Sequence, residues 1–490
     1  MKKILASIFA ALTCSFASSQ ISHALYYMES VPQTNILNPA HQPRAHLFIA
    51  VPGTNAHFGM STNLSPLDFF QKDGDKWLTP LNNGFDYDKL YDAYGDKMAA
   101  DADLSLNIIS FGWRNKNGNF WTFSLSERVT ADATLPTDLL KIGDKGLAEG
   151  TLLNLTDLGV NSMAYTELGV AYSRNVNEHW DYGFRIKFLA GSAAVRTKSN
   201  LFEIQTGREE WHVHTDYEVM TSAPLETENC LKEDGTVDFD SIDVRDFDET
   251  KDLVKYLMPR LKNPGFGIDL GINYKLNNNF SFSASITDLG MISWGRDVNR
   301  FKTKGDFDFD GIDYKLDNKD HKDDFQNAID DTVDSLLAEC NVTLEDGRFT
   351  TRLYPSVYVG AVYTPTYFLN VGFLSHTRFL ATDRIDQIFS VSATFNPYKF
   401  PGSLVGGYNI DIHGNSSAMA GFSLRFAVLQ FYAMAGYAPA KYNVYKTKQG
   451  DDIPVPHNIS NLEVSVGLNF VFGSKGYKDR PMINSNSLID

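Results

Sequence analysis

Asp306-Phe307-Asp308-Phe309-Asp310-Gly311 places a carboxylate at every second position ahead of a glycine, with Asp317 twelfth in line. This spacing resembles the start of a calcium loop: alternate carboxylates can converge on a hard cation, and glycine permits the sharp turn. Two positions depart from the pattern. Asp317 stands where a bidentate Glu is usual, and charged Asp313 fills the eighth, normally apolar, place. A solvated acidic strand face accounts for the same residues, and so does an acidic loop bridged by divalent ions to lipopolysaccharide phosphates. His212, His214 and Asp216 fall two apart, which on a strand puts all three on one face in chelating order; an exposed polar hairpin face reads the same way. For catalysis the chain offers no Gly-x-Ser-x-Gly, no His-Glu-x-x-His and no Gly-rich phosphate loop, and a noncatalytic protein is expected.

The elements that must hold these residues begin with an export signal. Lys2 and Lys3 precede an apolar run from Ile4 to Ala17, and Ala17-Ser18-Ser19 supplies small residues before Gln20, so residues 1–19 read as a cleavable signal peptide. Cys14 follows Thr13 within a continuing apolar run, a poor setting for lipidation. No later stretch approaches the roughly 18–20 apolar residues of a membrane-crossing helix. A membrane protein of this sequence must therefore be a closed barrel. Cys230 and Cys340 each lie in polar, acidic surroundings; an oxidising compartment permits a bridge, but spacing does not show that they meet.

The chain is 13% aromatic and 43% hydrophobic, with 36 Gly, 23 Tyr and 34 Phe in 490 residues. Modest hydropathy suits a barrel that shows its apolar side chains at every second position. The net charge of −16 is concentrated in two segments: Glu226 to Asp252 holds eleven acids against three bases, and Asp306 to Asp346 fourteen against three. Acidity thus belongs to two insertions, and the lack of a basic patch argues against nucleic acid as a partner.

Strict alternation recurs along the chain. Phe280, Phe282, Ala284 and Ile286 interleave with Ser281, Ser283, Ser285 and Thr287; Phe266, Ile268, Leu270, Ile272 and Tyr274 interleave with Gly267, Asp269, Gly271 and Asn273. A period of two marks strands with one apolar face. Fourteen such segments are expected: His46–Thr62 kinked at Pro52-Gly53, Asp103–Trp113, Asn119–Val129, Met163–Arg174, His179–Val195, Pro264–Leu276, Asn279–Gly290, Leu353–Thr364, Tyr367–Arg378, Asp386–Asn396, Gly402–Asp411, Ser417–Ala427, Leu429–Ala440 and Ser460–Phe472. Short turns such as Asn115 to Gly118 alternate with long polar segments, including 196–263 and 291–352, so the long ones all fall on one, extracellular, side. Helix is expected within them at Asp86–Ala100, Asp248–Leu261 and Asp323–Glu339. Arg185, Lys187, Asp269, Lys275 and Arg425 share polar strand faces and should point into the lumen, where charges must pair or be hydrated.

The last strand carries Ser465, Gly467, Phe470 and Phe472 in a polar-x-Gly-x-x-aromatic-x-aromatic order, which resembles the signal read by the outer-membrane barrel insertion machinery. Residues 473–490 then form a periplasmic tail. Ahead of the first strand stands Asn38-Pro39-Ala40. Proline drives Asn38 out of the helical region and frees its side chain for nearby backbone, which suits either a turn into the first strand or a segment folded inside the barrel.

On this motif and its position, the chain resembles the FadL family of outer-membrane transporters for hydrophobic molecules. That resemblance implies an all-β transmembrane barrel of about fourteen strands (46–472), an N-terminal hatch (20–45) containing Asn38, Pro39 and Ala40, a location in the Gram-negative outer membrane among its lipids, and a fatty-acid-like ligand. The chain is also similar to outer-membrane barrel proteins of gut anaerobes, in which Pro32, Gln33, Asn38, Pro39 and Ala40 open the barrel and Thr287 to Trp294 lies mid-chain. A third resemblance, to the shuttle barrel of the type IX secretion system, implies the alternative: a noncatalytic platform for an envelope protein. No cofactor is implied beyond possible calcium at Asp306, Asp308, Asp310 and Asp317.

Overall fold

The computed structural model describes residues 23–474 except 74–75, 79, 81–83, 146–148, 209, 228–229, 234, 246–262, 310–339, 382–383, 397–400, 413–415, 438–441, 447–451 and 457–460. The signal residues, the tail beyond 474, Asp310, Asp317 and the helices expected at 248–261 and 323–339 lie outside the described residues.

Fourteen antiparallel strands close into a barrel. They are β1 (Ala45–Ala50 and Asn55–Thr62), β2 (Lys97–Arg114), β3 (Phe120–Pro136), β4 (Gly159–Asn175), β5 (Trp180–Gln205), β6 (Pro264–Lys275), β7 (Phe280–Trp294), β8 (Ser356–Thr366), β9 (Leu369–Phe379), β10 (Ile385–Phe395), β11 (Gly402–Asp411), β12 (Ser416–Phe426), β13 (Leu429–Gly436) and β14 (Asn461–Ser474). Each pairs with the next, and both halves of β1 pair with β14, so no edge is left open. β1 bends at Gly53, whose φ of 71° suits glycine best. All fourteen expected strands are present. Several run further on the extracellular side than alternation suggested, β5 to Gln205 instead of Val195, because beyond the membrane the apolar face is no longer required.

The outward side chains are apolar and exposed: Phe188, Phe266, Val359, Val391, Phe426, Phe470 and Phe472 are among them. Such a belt has no favourable place in water and is at home in hydrocarbon. Near the periplasmic turns it gives way to aromatic rings, with Trp180 against Tyr274 at 4.5 Å and Trp121 against Tyr172 at 4.8 Å, an interfacial girdle. The protein is thus an outer-membrane β-barrel.

Above the membrane, Trp211–Ser222 pairs with the upper half of β5, and Val298–Phe309 pairs with that strand in turn. Both lie within the long segments 196–263 and 291–352 expected between barrel strands, and they fit the polar-hairpin reading of His212 to Asp216 and the acidic strand-face reading of Asp306 and Asp308. Their other face covers an apolar cluster that holds both Cys230 and Cys340 along with Val213, Phe301 and Val342. A backbone bond from Val237 N to Val342 O, 2.8 Å, ties the two acidic insertions together. The first expected helix is shorter than Asp86–Ala100: α1 spans Asp88–Tyr94 and ends at Gly95, and Lys97 already opens β2.

Candidate functional site

Residues 23–44 lie against the inner wall of the barrel. Ala24, Leu25, Tyr26, Met28, Val31 and Leu37 pack on the inward Tyr358, Leu374, Val405, Met419, Tyr432 and Met434 of β8, β9 and β11–β13. Burying this many apolar side chains holds the segment in place. Polar anchors set its register. Glu463 on β14 accepts from the His23 backbone N at 3.0 Å and pairs with its ring, whose Nε2 lies 2.9 Å from His376 Nδ1. Gln33 and Asn469 exchange two amide bonds, 2.8 and 3.0 Å. Asn35 donates to Thr122 at 2.8 Å, and Arg114 at the periplasmic end donates to the Pro43 carbonyl at 2.6 Å.

Asn38 is fully buried. Its Oδ1 accepts from Ala40 N at 2.9 Å, and its Nδ2 donates to Asn273 at 3.1 Å and to the Tyr26 hydroxyl at 3.3 Å. The wall is cut back to receive it: Gly183 of β5 and Gly271 of β6 are paired neighbours, and a Cβ on them would stand 2.2 Å from the Pro39 carbonyl oxygen and 2.1 Å from Asn38 Oδ1. A second bare patch, Gly360 and Gly372, receives Tyr27. Burial pushes the Tyr26 and Tyr27 phenols up, so both stay neutral hydrogen-bond donors. It pushes His41, edge-on to Tyr26, down to about 4, against a smaller opposing pull from Glu29.

Beside this segment a run of alternating charges crosses the lumen. Arg185 donates to the Asn35 carbonyl at 3.1 Å and meets Asp269 at 3.4 Å; Lys187 meets Asp269 at 2.8 Å and Asp288 at 2.6 Å. Arg128 meets Asp288 at 3.2 Å, Glu167 at 3.3 Å and Asp103 at 4.0 Å. Arg378 then pairs with Asp103 and, at 2.9 Å, with Asp101, which also pairs with Arg384. Buried ions survive only by such mutual compensation. Asp288 occupies the branching point because the β6–β7 ladder bulges between Ile268 and Leu270, and its φ is 60°. Between the charges and Ile36 and Leu37 the free space is a cavity of about 40 Å³, room for a few waters.

At the ends of β4, β5, β9 and β10 away from the periplasmic turns lies a larger cavity of about 330 Å³, lined by Met163, Val195, Leu353, Leu380 and, on the outer side of the wall, the exposed Phe379 and Ile385, with Arg196, Arg352 and Arg384 at its polar edge. Apolar walls with a few polar groups are the usual make-up of a small-molecule site.

The other residues singled out from sequence divide as follows. Arg185, Lys187 and Asp269 join the lumen charges. Lys275 and Arg425 do not: Lys275 pairs with Asp181 while half-exposed, and Arg425 donates to the Ala427 and Val471 carbonyls, both near periplasmic turns. Their parity is inward, but parity fixes a face and not a depth. Ser465 faces inward beside His57 at 3.1 Å, a Cβ on Gly467 would stand 2.1 Å from Asn55 Oδ1, and Phe470 and Phe472 face outward. Asp306 and Asp308 stand on the extended strand Val298–Phe309 and not in a loop, and each is taken by a histidine at 2.6 Å, Asp306 by His214 and Asp308 by His212. Asp216 pairs instead with Lys304. Among the described residues no three of His, Cys, Asp and Glu gather as a metal site. Asp101, Asp103, Arg128, Asp288, Arg378 and His376 were missed; the one sequence cue was Asp288, an acid out of phase in the alternation of β7.

A closed fourteen-stranded outer-membrane barrel with its N-terminal segment folded inside is the class these features define. Over residues 39–436 the sequence matches the family described as "Family of unknown function (DUF5723)", and the chain belongs to it. No curated protein matches it. Among solved structures it is similar to a Pseudomonas aeruginosa FadL homologue (11% identity, 93% of this chain and 99% of that one, TM-score 0.42) and to the Pseudomonas putida toluene transporter TodX (10% identity, 93% and 98%, TM-score 0.39). A Rhodopseudomonas blastica porin is more distant, at 8% identity over 64% of this chain with a TM-score of 0.20.

Proposed function

We propose that the protein is a noncatalytic transporter that carries a small hydrophobic molecule across the outer membrane, with residues 20–45 as its hatch. The observation that carries this reading is the 330 Å³ cavity, whose lining is largely apolar and which lies beyond the buried charges of the lumen. A molecule seated there would leave water for Met163, Leu353 and Leu380 while its polar end met an arginine. Passage would then require the hatch to leave its glycine seat. The filled lumen favours a second reading, a binding platform for another envelope protein.

The two readings differ in what crosses the membrane. Cells producing the protein should accumulate an apolar fluorescent probe such as N-phenylnaphthylamine several-fold faster than cells producing the Ala381→Trp variant, in which an indole fills the cavity. Equal rates, with both barrels folded, would remove the transport reading and leave the platform.

A further inference from the structure

We propose that the lumen holds two barriers in series, the N-terminal segment and a separate charge latch, and that the latch is Arg378 on β9 against Asp101 and Asp103 on β2. This rests on the transport reading above and adds what must move besides the hatch.

Position around the ring is the first ground. β2 and β9 lie half a circuit apart in a fourteen-stranded barrel, yet one guanidinium reaches both carboxylates. The walls are therefore drawn together there, and a solute moving along the lumen meets the bridge side-on. Arg128 makes a second crossing, from β3 to Asp288 on β7. The ring of Tyr354 lies against the bridge, with Arg378 Cζ 5.5 Å from its centroid.

Location is the second. The latch stands between two cavities: Arg378 and Asp103 line the 40 Å³ cavity next to the hatch, Arg384 lines the 330 Å³ cavity, and Tyr354 lines both. The hatch does not make this closure, because none of the bonds of Asp101, Asp103 or Arg378 described above is to residues 23–44. Unseating the hatch alone leaves the bridge in place.

Connection is the third. Arg378 and Arg384 flank the β9–β10 turn, and Leu380 and Ala381 of that turn line the large cavity. An occupant of the cavity therefore touches the turn whose two ends carry the guanidiniums that hold Asp101. Displacing the turn would loosen both pairs together, and removing one partner of a buried pair leaves a charge uncompensated, so the latch is closed at rest.

Planar-bilayer conductance of the full-length chain tests this without any ligand. Three proteins would be compared with the unmodified one: Gly271→Val, which drives Asn38 from its seat; Asp101→Asn/Asp103→Asn/Arg378→Gln, which neutralises the latch while keeping polar side chains; and the two sets combined. The expected result is low conductance for each set alone and at least a tenfold rise for the combination. Full conductance from Gly271→Val alone, or no rise in the combination, would overturn the proposal. Should the combined variant fail the heat-modifiability check for folding, Asp103→Cys/Arg378→Cys in a Cys230→Ala/Cys340→Ala background replaces it, joined by a reducible bis-methanethiosulfonate cross-linker long enough to replace the arginine's reach, since a direct disulfide is too short for the pair. Cross-linking should then slow probe uptake at least tenfold and reductant restore it, whereas uptake indifferent to cross-linking, with the link demonstrated by mass, would refute the latch. Ion conductance does not depend on a hydrophobic ligand, so the latch and the transport reading can fail separately.

Discussion

Replacing Asn38 with Ala should unseat the N-terminal segment without disturbing the barrel. Three hydrogen bonds are lost, to Ala40 N, Asn273 and Tyr26. Each neutral bond contributes about 1 kcal/mol net, and the Ala40 N–H stranded in a buried site adds a desolvation penalty, for a total of about 2–4 kcal/mol. The transiently open population should therefore rise about 30-fold to several-hundred-fold. A cysteine at Ala24, which is buried in the seated segment, reports that opening. In a Cys230→Ala/Cys340→Ala background, the rate at which a hydrophilic maleimide labels Ala24→Cys should rise by the same factor when Asn38→Ala is added. The barrel strands make few of these bonds, so the heat-modifiable band should persist. A labelling rate within threefold of the parent, in folded protein, would refute the view that this side chain holds the segment in its seat.

The segment should also respond to pH through His41. Its value of about 4 in place, against 6.5 when displaced, means that the seated form binds fewer protons between those limits. Seating is therefore fully favoured above pH 6.5 and weakens as pH falls toward 4, by about 3 kcal/mol at most; Ala24→Cys labelling should accelerate over that window, and His41→Phe should flatten the profile. Phe470→Ser/Phe472→Ser removes two lipid-facing rings from β14 and should lower the yield of heat-modifiable barrel in outer-membrane fractions, with an unchanged yield speaking against an insertion role. Calcium at up to millimolar levels should leave tryptic cleavage of the 306–317 region unaltered if Asp306 and Asp308 keep their histidine partners, and protection by calcium would show that the loop reading is the right one.

What could be read from sequence follows from what the membrane demands. Lipid imposes an apolar side chain at every second position, so Phe266 to Tyr274 and Phe280 to Ile286 announced their strands, and the alternation of short turns with long connections matches the order of the barrel's strands. Asn38-Pro39-Ala40 was visible as a motif, but its seat was not: Gly183 and Gly271 are 88 residues apart and become neighbours only through the pairing of β5 with β6. The charge run was hidden for a similar reason. Asp101, Asp103 and Arg378 are isolated polar residues on inward faces, and only closure of the ring brings β2 opposite β9. The strands Trp211–Ser222 and Val298–Phe309 showed only as a polar hairpin face and an acidic strand face, and their pairing onto β5 was hidden because they stand clear of the lipid and carry His212, His214, Asp306 and Asp308 on one face in place of an apolar row.

The most direct test of the central claim is native mass spectrometry of the folded barrel, extracted from outer membranes in mild detergent and confirmed by its faster migration before boiling. One small apolar molecule should accompany the unmodified protein and be absent from Ala381→Trp. A folded barrel that carries nothing in either form would contradict the assignment of the extracellular cavity as a binding site, and with it the transport of a hydrophobic ligand.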